Sequence, residues 1–155
     1  MQNIYSISFT GEFHYNLDSK NRLSIPAKYR KAMKPENNGV FVITHGFDRQ
    51  LVVYPLIEWT LVEHELGSLN SVKRKNRSFI RAIIRSAHHV NLDANGRISI
   101  PDKLLSFAGI EKDITIIGMI KKFEVWSPQR LSEFDSGQMD IDSEDFESLA
   151  SDISF

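Results

Sequence analysis

Cysteine is absent from all 155 residues, so disulfides and thiolate metal sites are both excluded. Long apolar runs are missing too: no stretch approaches the roughly 20 residues that a bilayer-spanning helix needs. The opening residues, MQNIYSISF, lack the basic segment and apolar core of a secretory leader. A cysteine-free chain with neither feature suits a reducing compartment, and we read it as cytoplasmic. Catalytic signatures are equally scarce, with no His-Glu-x-x-His, no glycine-rich phosphate loop and no Gly-x-Ser-x-Gly. These gaps shift the weight from small-molecule chemistry to binding.

What the chain does contain is a phrase stated twice. NLDSKNRLSIP runs from Asn16 to Pro26, and NLDANGRISIP from Asn91 to Pro101. Widened to His14–Lys28 against His89–Lys103, the comparison gives nine identities in fifteen positions at a constant offset of 75. That is a tandem duplication. A chain of this length makes one conventional domain or two very small ones, and the repeat favours two fused half-units sharing a core.

Each copy reads as a hairpin followed by a short helix. Tyr15 and Leu17, then Leu23 and Ile25, are apolar at alternate positions, and a polar run from Asp18 to Asn21 interrupts them. The fourth turn residue is Asn21 in one copy and Gly96 in the other, the two residue types that best tolerate a left-handed backbone. Pro26 and Pro101 then stop strand pairing and open a helix.

The rest follows the same order in both copies. Residues 1–13 supply an entry strand with Ile4, Ile7 and Phe9 apolar, closed by Gly11. Residues 34–39 are a loop by composition, 40–44 a continuous apolar run suited to a buried strand, and 50–54 another strand. Pro55 opens a helix whose Leu56, Trp59, Val62, Leu66 and Leu69 share one face. In the second copy the matching pieces are a strand over 114–117, a strand over 123–126, and a helix capped by Ser127-Pro128. The offset falls there to 72, so the link between helix and strand is three residues shorter. Gly109 reads as a left-handed helix cap.

Charge is segregated. The formal net charge is −1, yet from Glu133 onward there are eight acidic residues and no basic ones, leaving nineteen basic against twelve acidic in the body. Residues 18–34 carry six Lys/Arg against one acid, and 73–85 carry six against none. A polyanion suits such a body; a solvated helix face is the plainer alternative. Between the copies, 72–87 predicts an amphipathic helix. It would bury Val72, Phe79, Ile80, Ile83 and Ala87 and present Arg74, Arg77, Arg81 and Arg85. In the tail, Phe146, Leu149, Ala150 and Ile153 recur at helical spacing, with Asp142 or Ser143 as cap; the segment either docks on a basic surface or stays disordered.

Asp18–Arg22 and Asp93–Arg97 span the two turns four residues apart. A carboxylate at a turn start accepts backbone amides, so Asp18 and Asp93, with Asn21 and Gly96, are read as turn-structuring residues. The arginine can pair with that carboxylate or reach outward to phosphate or a guanine edge, and we favour binding for Arg22. Lys20 at the tip adds a phosphate contact, and Lys28 and Arg30 extend the patch. His14, His88 and His89 with Asp18 or Asp93 are the one imaginable metal set. Histidines on strands are ordinarily strand residues, and the reading is no metal, no cofactor and no catalysis.

With both phrases in view, the chain resembles the MraZ family of bacterial proteins, built from two tandem AbrB-like units. The resemblance runs from Phe9-Thr10-Gly11-Glu12 through LDSKNRLSIPAKYR, LVVYP with Trp59, LDANGRISIP and KKFEVW at 121–126. It implies an α+β, mostly β fold of two swapped-hairpin β-barrel half-units with short helices. The units fall at 12–58 and 87–131, with a helical connector at 59–86 and an acidic tail at 132–155. It further implies a cytoplasmic, nucleoid-associated repressor that binds repeated promoter elements of double-stranded DNA upstream of the division and cell-wall genes, as a ring-shaped homo-oligomer. Lys20, Arg22 and Arg97 become the DNA-contacting positions. Where the family phrase has glycine after the turn lysine this chain has Asn21, and Asn95 stands where the first copy has Lys20. The rival from another class is an interaction module of antidote type, its acidic tail gripping a protein; such antidotes carry one unit, and the duplication argues against it.

Overall fold

A computed structural model describes residues 8–137 and 143–154. Ile4, Ile7 and Asp142 lie outside the described residues. Among the described residues eight strands fall in the order β1 (Glu12–Asn16), β2 (Arg22–Ser24), β3 (Val40–His45), β4 (Leu51–Pro55), β5 (His88–Asn91), β6 (Arg97–Ser99), β7 (Asp113–Gly118) and β8 (Phe123–Trp126). Six α-helices accompany them among the same residues: α1 (Ala27–Ala32), α2 (Leu56–Gly67), α3 (Arg74–Ile84), α4 (Asp102–Ala108), α5 (Pro128–Ser136) and α6 (Ser143–Ala150). The fold is α+β, with more strands than helices among the described residues.

All pairings are antiparallel. Six strands run β1-β7-β8-β4-β3-β5, and β2 pairs with β6 in a separate two-stranded ribbon. Exchanging the repeats (β1 for β5, β3 for β7, β4 for β8) reads the same order backwards, so the duplication has become a pseudo-twofold. Its axis is marked at both ends. In the ribbon Leu23 faces Ile98, residues 75 apart, and in the sheet Val52 faces Glu124, residues 72 apart.

The hairpin reading needs correction here. β1 pairs with β7 of the other repeat, β5 with β3, and β2 with β6; the two arms of each turn therefore go to different partners. The cause is local. Asp18 N donates to Arg22 O at 3.1 Å, but the amide of Arg22 donates to Asp18 Oδ1 at 2.9 Å instead of to a carbonyl. One ladder bond forms, the carboxylate captures the next donor, and the arms separate. Leu17 N already donates to Lys112 O at 2.8 Å. Strand exchange thus makes each half's sheet depend on the other.

The three-residue shortening of the second copy also divides. Two residues are lost between helix and strand, where the first copy carries a 3-10 turn at Pro35–Asn37, and one between β7 and β8. That turn has a purpose. Its Asn37, fully buried, accepts from Ile57 N at 2.9 Å and donates to Lys34 O at 3.1 Å. It thereby caps α2, whose own N-cap, Pro55, supplies no side-chain bond.

The central strands are apolar on both faces because both are covered. Phe41, Ile43, Leu51, Val53, Ile114, Ile116, Phe123 and Val125 face the main core, joined there by Leu23 and Ile98 from the ribbon and by Ile25 and Ile100 just after its strands. Phe9, Tyr29 and Phe123 form an aromatic cluster at its centre, with centroids 4.7–5.7 Å apart. The Tyr29 hydroxyl donates to Thr10 O at 2.9 Å, and burial pushes its pKa up to about 12. On the other face α2 sets Trp59 against Tyr54, and α5 sets Phe134 against Trp126, both at 5.5 Å.

Helix α3 departs from its amphipathic reading. No residue of it is buried, Phe79 is 44% exposed and Val72, just before it, 83% exposed. The sheet beneath is already occupied by α2, so the apolar face of α3 has little left to cover within its own chain. Among the described residues no helix is long and apolar enough to cross a membrane.

Candidate nucleic-acid interface

The ribbon decides where the two turns go. With Arg22 opposite Ser99 and Ser24 opposite Arg97, the return strands run side by side and carry both turns to one surface. Leu23 and Ile98 are fully buried beneath, so alternation places the arginines at the outer boundary of the core. Each is about one quarter exposed.

Both turns are built alike. In the first, Asp18 Oδ1 accepts from Lys20 N and Arg22 N, each at 2.9 Å, and Oδ2 accepts from Arg22 Nε at 2.7 Å. In the second, Asp93 Oδ1 accepts from Asn95 N at 2.8 Å and Arg97 N at 3.0 Å, and Oδ2 from Arg97 Nε at 3.0 Å. Asn21 (φ 56°) and Gly96 (φ 76°) both sit in the left-handed region. Their carbonyls accept from the opposite repeat: Ile100 N bonds Asn21 O at 3.1 Å and Ile25 N bonds Gly96 O at 2.9 Å. The backbone hydrogen bonds from Arg22 and Arg97, chiefly, hold both aspartates below the ordinary carboxylate pKa.

Asp18 serves two arginines. Its Oδ2 lies 3.6 Å from Arg97 Nη1 as well as 2.7 Å from Arg22 Nε, so the turns are electrostatically joined across the axis. Arg22 is held at Nε, and among the described residues its two Nη groups make no hydrogen bond, a planar fork left over for an external acceptor.

The remaining predicted residues are distributed unevenly. Lys20 is exposed at the first tip. Lys28 is not gathered in: its ammonium donates to Thr10 Oγ1 at 2.8 Å, and it makes no hydrogen bond or ion pair to the turns. Arg30 does come in, and from the other repeat. Its side chain lies over the second turn, so close that a Cβ on Gly96 would fall 2.9 Å from it, while its Nε donates to Ile25 O at 3.2 Å. The first turn meets an acid instead, Asn21 Nδ2 donating to Asp102 Oδ1 at 3.1 Å. Sequence reasoning missed Asp102 because its contact crosses 81 residues. The only signal was that positions 27 and 30 break the repeat, pairing Ala27 with Asp102 and Arg30 with Leu105.

The histidines form no metal set: among the described residues no three His, Asp or Glu side chains gather as ligands. His14 Nε2 pairs with Glu12 at 3.0 Å, and His88 Nδ1 lies 2.9 Å from Ser86 O. Two basic turns gathered on one face fit a binding surface.

The family model described as "MraZ protein, putative antitoxin-like" matches the chain twice, over residues 8–82 and 83–150. The chain belongs to the MraZ family. Among relatives named "Transcriptional regulator MraZ", that of Clostridium beijerinckii is 42% identical over 135 residues, 87% of this chain and 92% of that protein. The Pediococcus pentosaceus protein is 43% identical over 125 residues, 81% and 85% respectively. That of Natranaerobius thermophilus is 38% identical over 145 residues, 94% and 96%. The family match covers both Asp-x-x-x-Arg turns, one in each matched segment.

Proposed function

We propose that this MraZ-family chain is a DNA-binding transcriptional regulator, without enzymatic activity, that reads double-stranded DNA through its paired turns. One observation carries the reading: the β2–β6 ribbon brings Arg22 and Arg97 together with Asp18 bridging them. A carboxylate that fixes the Nε side of a guanidinium presets the outward fork, which lowers the ordering cost of a bidentate contact to guanine or phosphate. Lys20 and Arg30 then supply backbone contacts around the fork, and Lys28 lies at the margin. The relatives' names support the regulatory role.

The finer reading is a repressor acting at repeated promoter elements of the division and cell-wall gene cluster, nucleoid-associated in the cytoplasm. The reading units are 12–58 and 87–131, joined by 59–86, with 132–155 as tail; exchange of β1 and β5 supports a swapped-hairpin barrel of the AbrB-like kind. A single pair of turns contacts too little DNA for tight binding, so a ring-shaped homo-oligomer presenting several pairs to several repeats supplies affinity by multivalency.

The test is a mobility shift with DNA from upstream of the protein's own gene, comparing wild type with Arg22→Ala across a salt series. The proposal predicts a specific shift that the variant loses at the protein concentration where wild type shifts fully, with log affinity falling by roughly 0.9 per phosphate neutralised against log salt. Equal binding to random DNA by both proteins would remove the reading.

A further inference from the structure

Two unpartnered surfaces in this chain are complementary. One is a groove of about 300 Å³ bounded by α2, α3, the sheet face away from the main core and the β7–β8 turn. Its walls include Phe47, Val62, Phe79, Ile83 and Met119, of which Phe47 is 82%, Phe79 44% and Met119 43% exposed. An apolar cavity of about 150 Å³ accommodates a benzene ring, so this one has room for two bulky side chains. The other surface is α6, whose Phe146, Leu149 and following Ile153 are 66%, 57% and 61% exposed. With both open in the folded chain, α6 does not fill its own groove.

Charge points the same way. The tail from Glu133 has eight acids and no base, and 73–85 has six bases and no acid. Lys122 lines the groove, and Lys75 precedes Phe79 by one turn of α3. The α3 arginines lie on its far side, but a helix is only 10–12 Å across, about one screening length at 0.1 M salt. None of the ion pairs between described residues involves α3. Two carboxylates also line the groove, Asp48 and Glu124. Glu124 is committed, accepting from Gln50 Nε2 at 2.6 Å and Trp126 Nε1 at 2.9 Å.

We propose that α6 of one copy docks in the groove of a second copy, Phe146 and Leu149 filling it and Ile153 covering its rim, while the acids of α6 lie in the positive field of α3. The mode is an amphipathic helix laid into an apolar groove. Docking links copies through the tail and leaves the paired turns free for DNA. It deepens the assembly reading and rests on it.

The chain's lack of cysteine makes the test clean. Phe47→Cys and Leu149→Cys are made separately, mixed and mildly oxidised, with Met119→Cys as a second groove probe and Ser19→Cys, on the first turn, as the collisional control. The proposal predicts a disulfide-linked dimer from the groove and tail variants at about ten times the control yield, reduced by Phe146→Ser and by high salt. A yield equal to control from both groove probes, or a purely intrachain bond in the Phe47→Cys/Leu149→Cys double variant, overturns it. Light scattering on wild type separates the two levels: an assembled mass without the cross-link removes docking alone, and a single-chain mass removes the assembly reading and docking with it.

Discussion

At the first turn Lys20 stands at the tip and the neighbouring helix contributes a carboxylate, Asp102, to Asn21. At the second, Asn95 replaces the lysine and the neighbouring helix contributes a guanidinium, Arg30, over Gly96. By sequence the second turn is one cation poorer. By structure each turn keeps one cation beyond its own arginine, and the second borrows it from the first repeat. Strand exchange makes this possible, because α1 and α4 each lie beside the other repeat's turn. Two copies of one phrase have therefore become a near-symmetric surface through substitutions outside the phrase.

The largest effect should come from removing what joins the turns. Leu23→Ala or Ile98→Ala deletes a fully buried side chain on the pseudo-axis and should cost about 2–5 kcal/mol. Denaturant unfolding followed by Tyr and Trp fluorescence should show one cooperative transition moved as a whole; loss confined to one repeat would contradict the shared core. Next in size come the arginines. Arg22→Ala and Arg97→Ala should each weaken specific DNA binding by about 1–3 kcal/mol, measured by anisotropy titration, with circular dichroism unchanged.

Smaller changes sharpen the difference between the turns. Lys20→Ala and Arg30→Ala should weaken binding several-fold to similar extents, each lowering the magnitude of the log–log salt slope by roughly 0.9; a silent Arg30→Ala would leave the second turn the poorer one. Gly96→Ala, at φ 76° and with its Cβ 2.9 Å from the Arg30 side chain, should cost about 1–2 kcal/mol in stability. It should also reproduce the binding loss of Arg30→Ala, because the guanidinium must move. Asn21→Gly relieves a left-handed φ of 56° but loses the bond to Asp102, so it should change stability by less than about 1 kcal/mol in the same unfolding assay.

The pH dependence is the mildest effect. Asp18 and Asp93 are held below the ordinary carboxylate value of 3.8. Their stabilisation is fully present above that value and is lost as pH falls through the lower folded values. His45 works at higher pH. Burial first, then Arg49 and His88, push its pKa below 6.5, so the folded state favours neutral imidazole. Stability should therefore decline as pH falls below about 6.5, with the decline reduced in His45→Phe, which keeps a ring against Phe107, now 3.6 Å away.

Much of this was legible because it is local or periodic. The duplication, the turns, the buried strand over 40–44 and the Ser127 cap, which accepts from Arg130 N at 3.4 Å, all rest on neighbours in sequence. Strand partners did not: an alternating pattern such as Tyr15 and Leu17 fixes which face is buried and says nothing about whose sheet receives it. Helix α3 misled for the same reason. Its apolar stripe is real, but periodicity cannot say whether the partner is its own chain. At the site, the Asp-x-x-x-Arg pairs were visible within each turn, whereas the Asp18–Arg97 bridge and the approach of Arg30 exist only once the ribbon forms.

We propose that the two turns act as one reading surface, joined by Asp18. A double-mutant cycle tests it most directly: affinity for the upstream DNA of wild type, Arg22→Ala, Arg97→Ala and the double variant, at one fixed salt concentration. Joined through Asp18 and bound to one stretch of DNA, the arginines should be coupled, the double variant losing less than the sum of the single losses by about 0.5–3 kcal/mol. Strict additivity, or a silent Arg97→Ala, would mean that the turns bind separately and that the ribbon only holds the fold together.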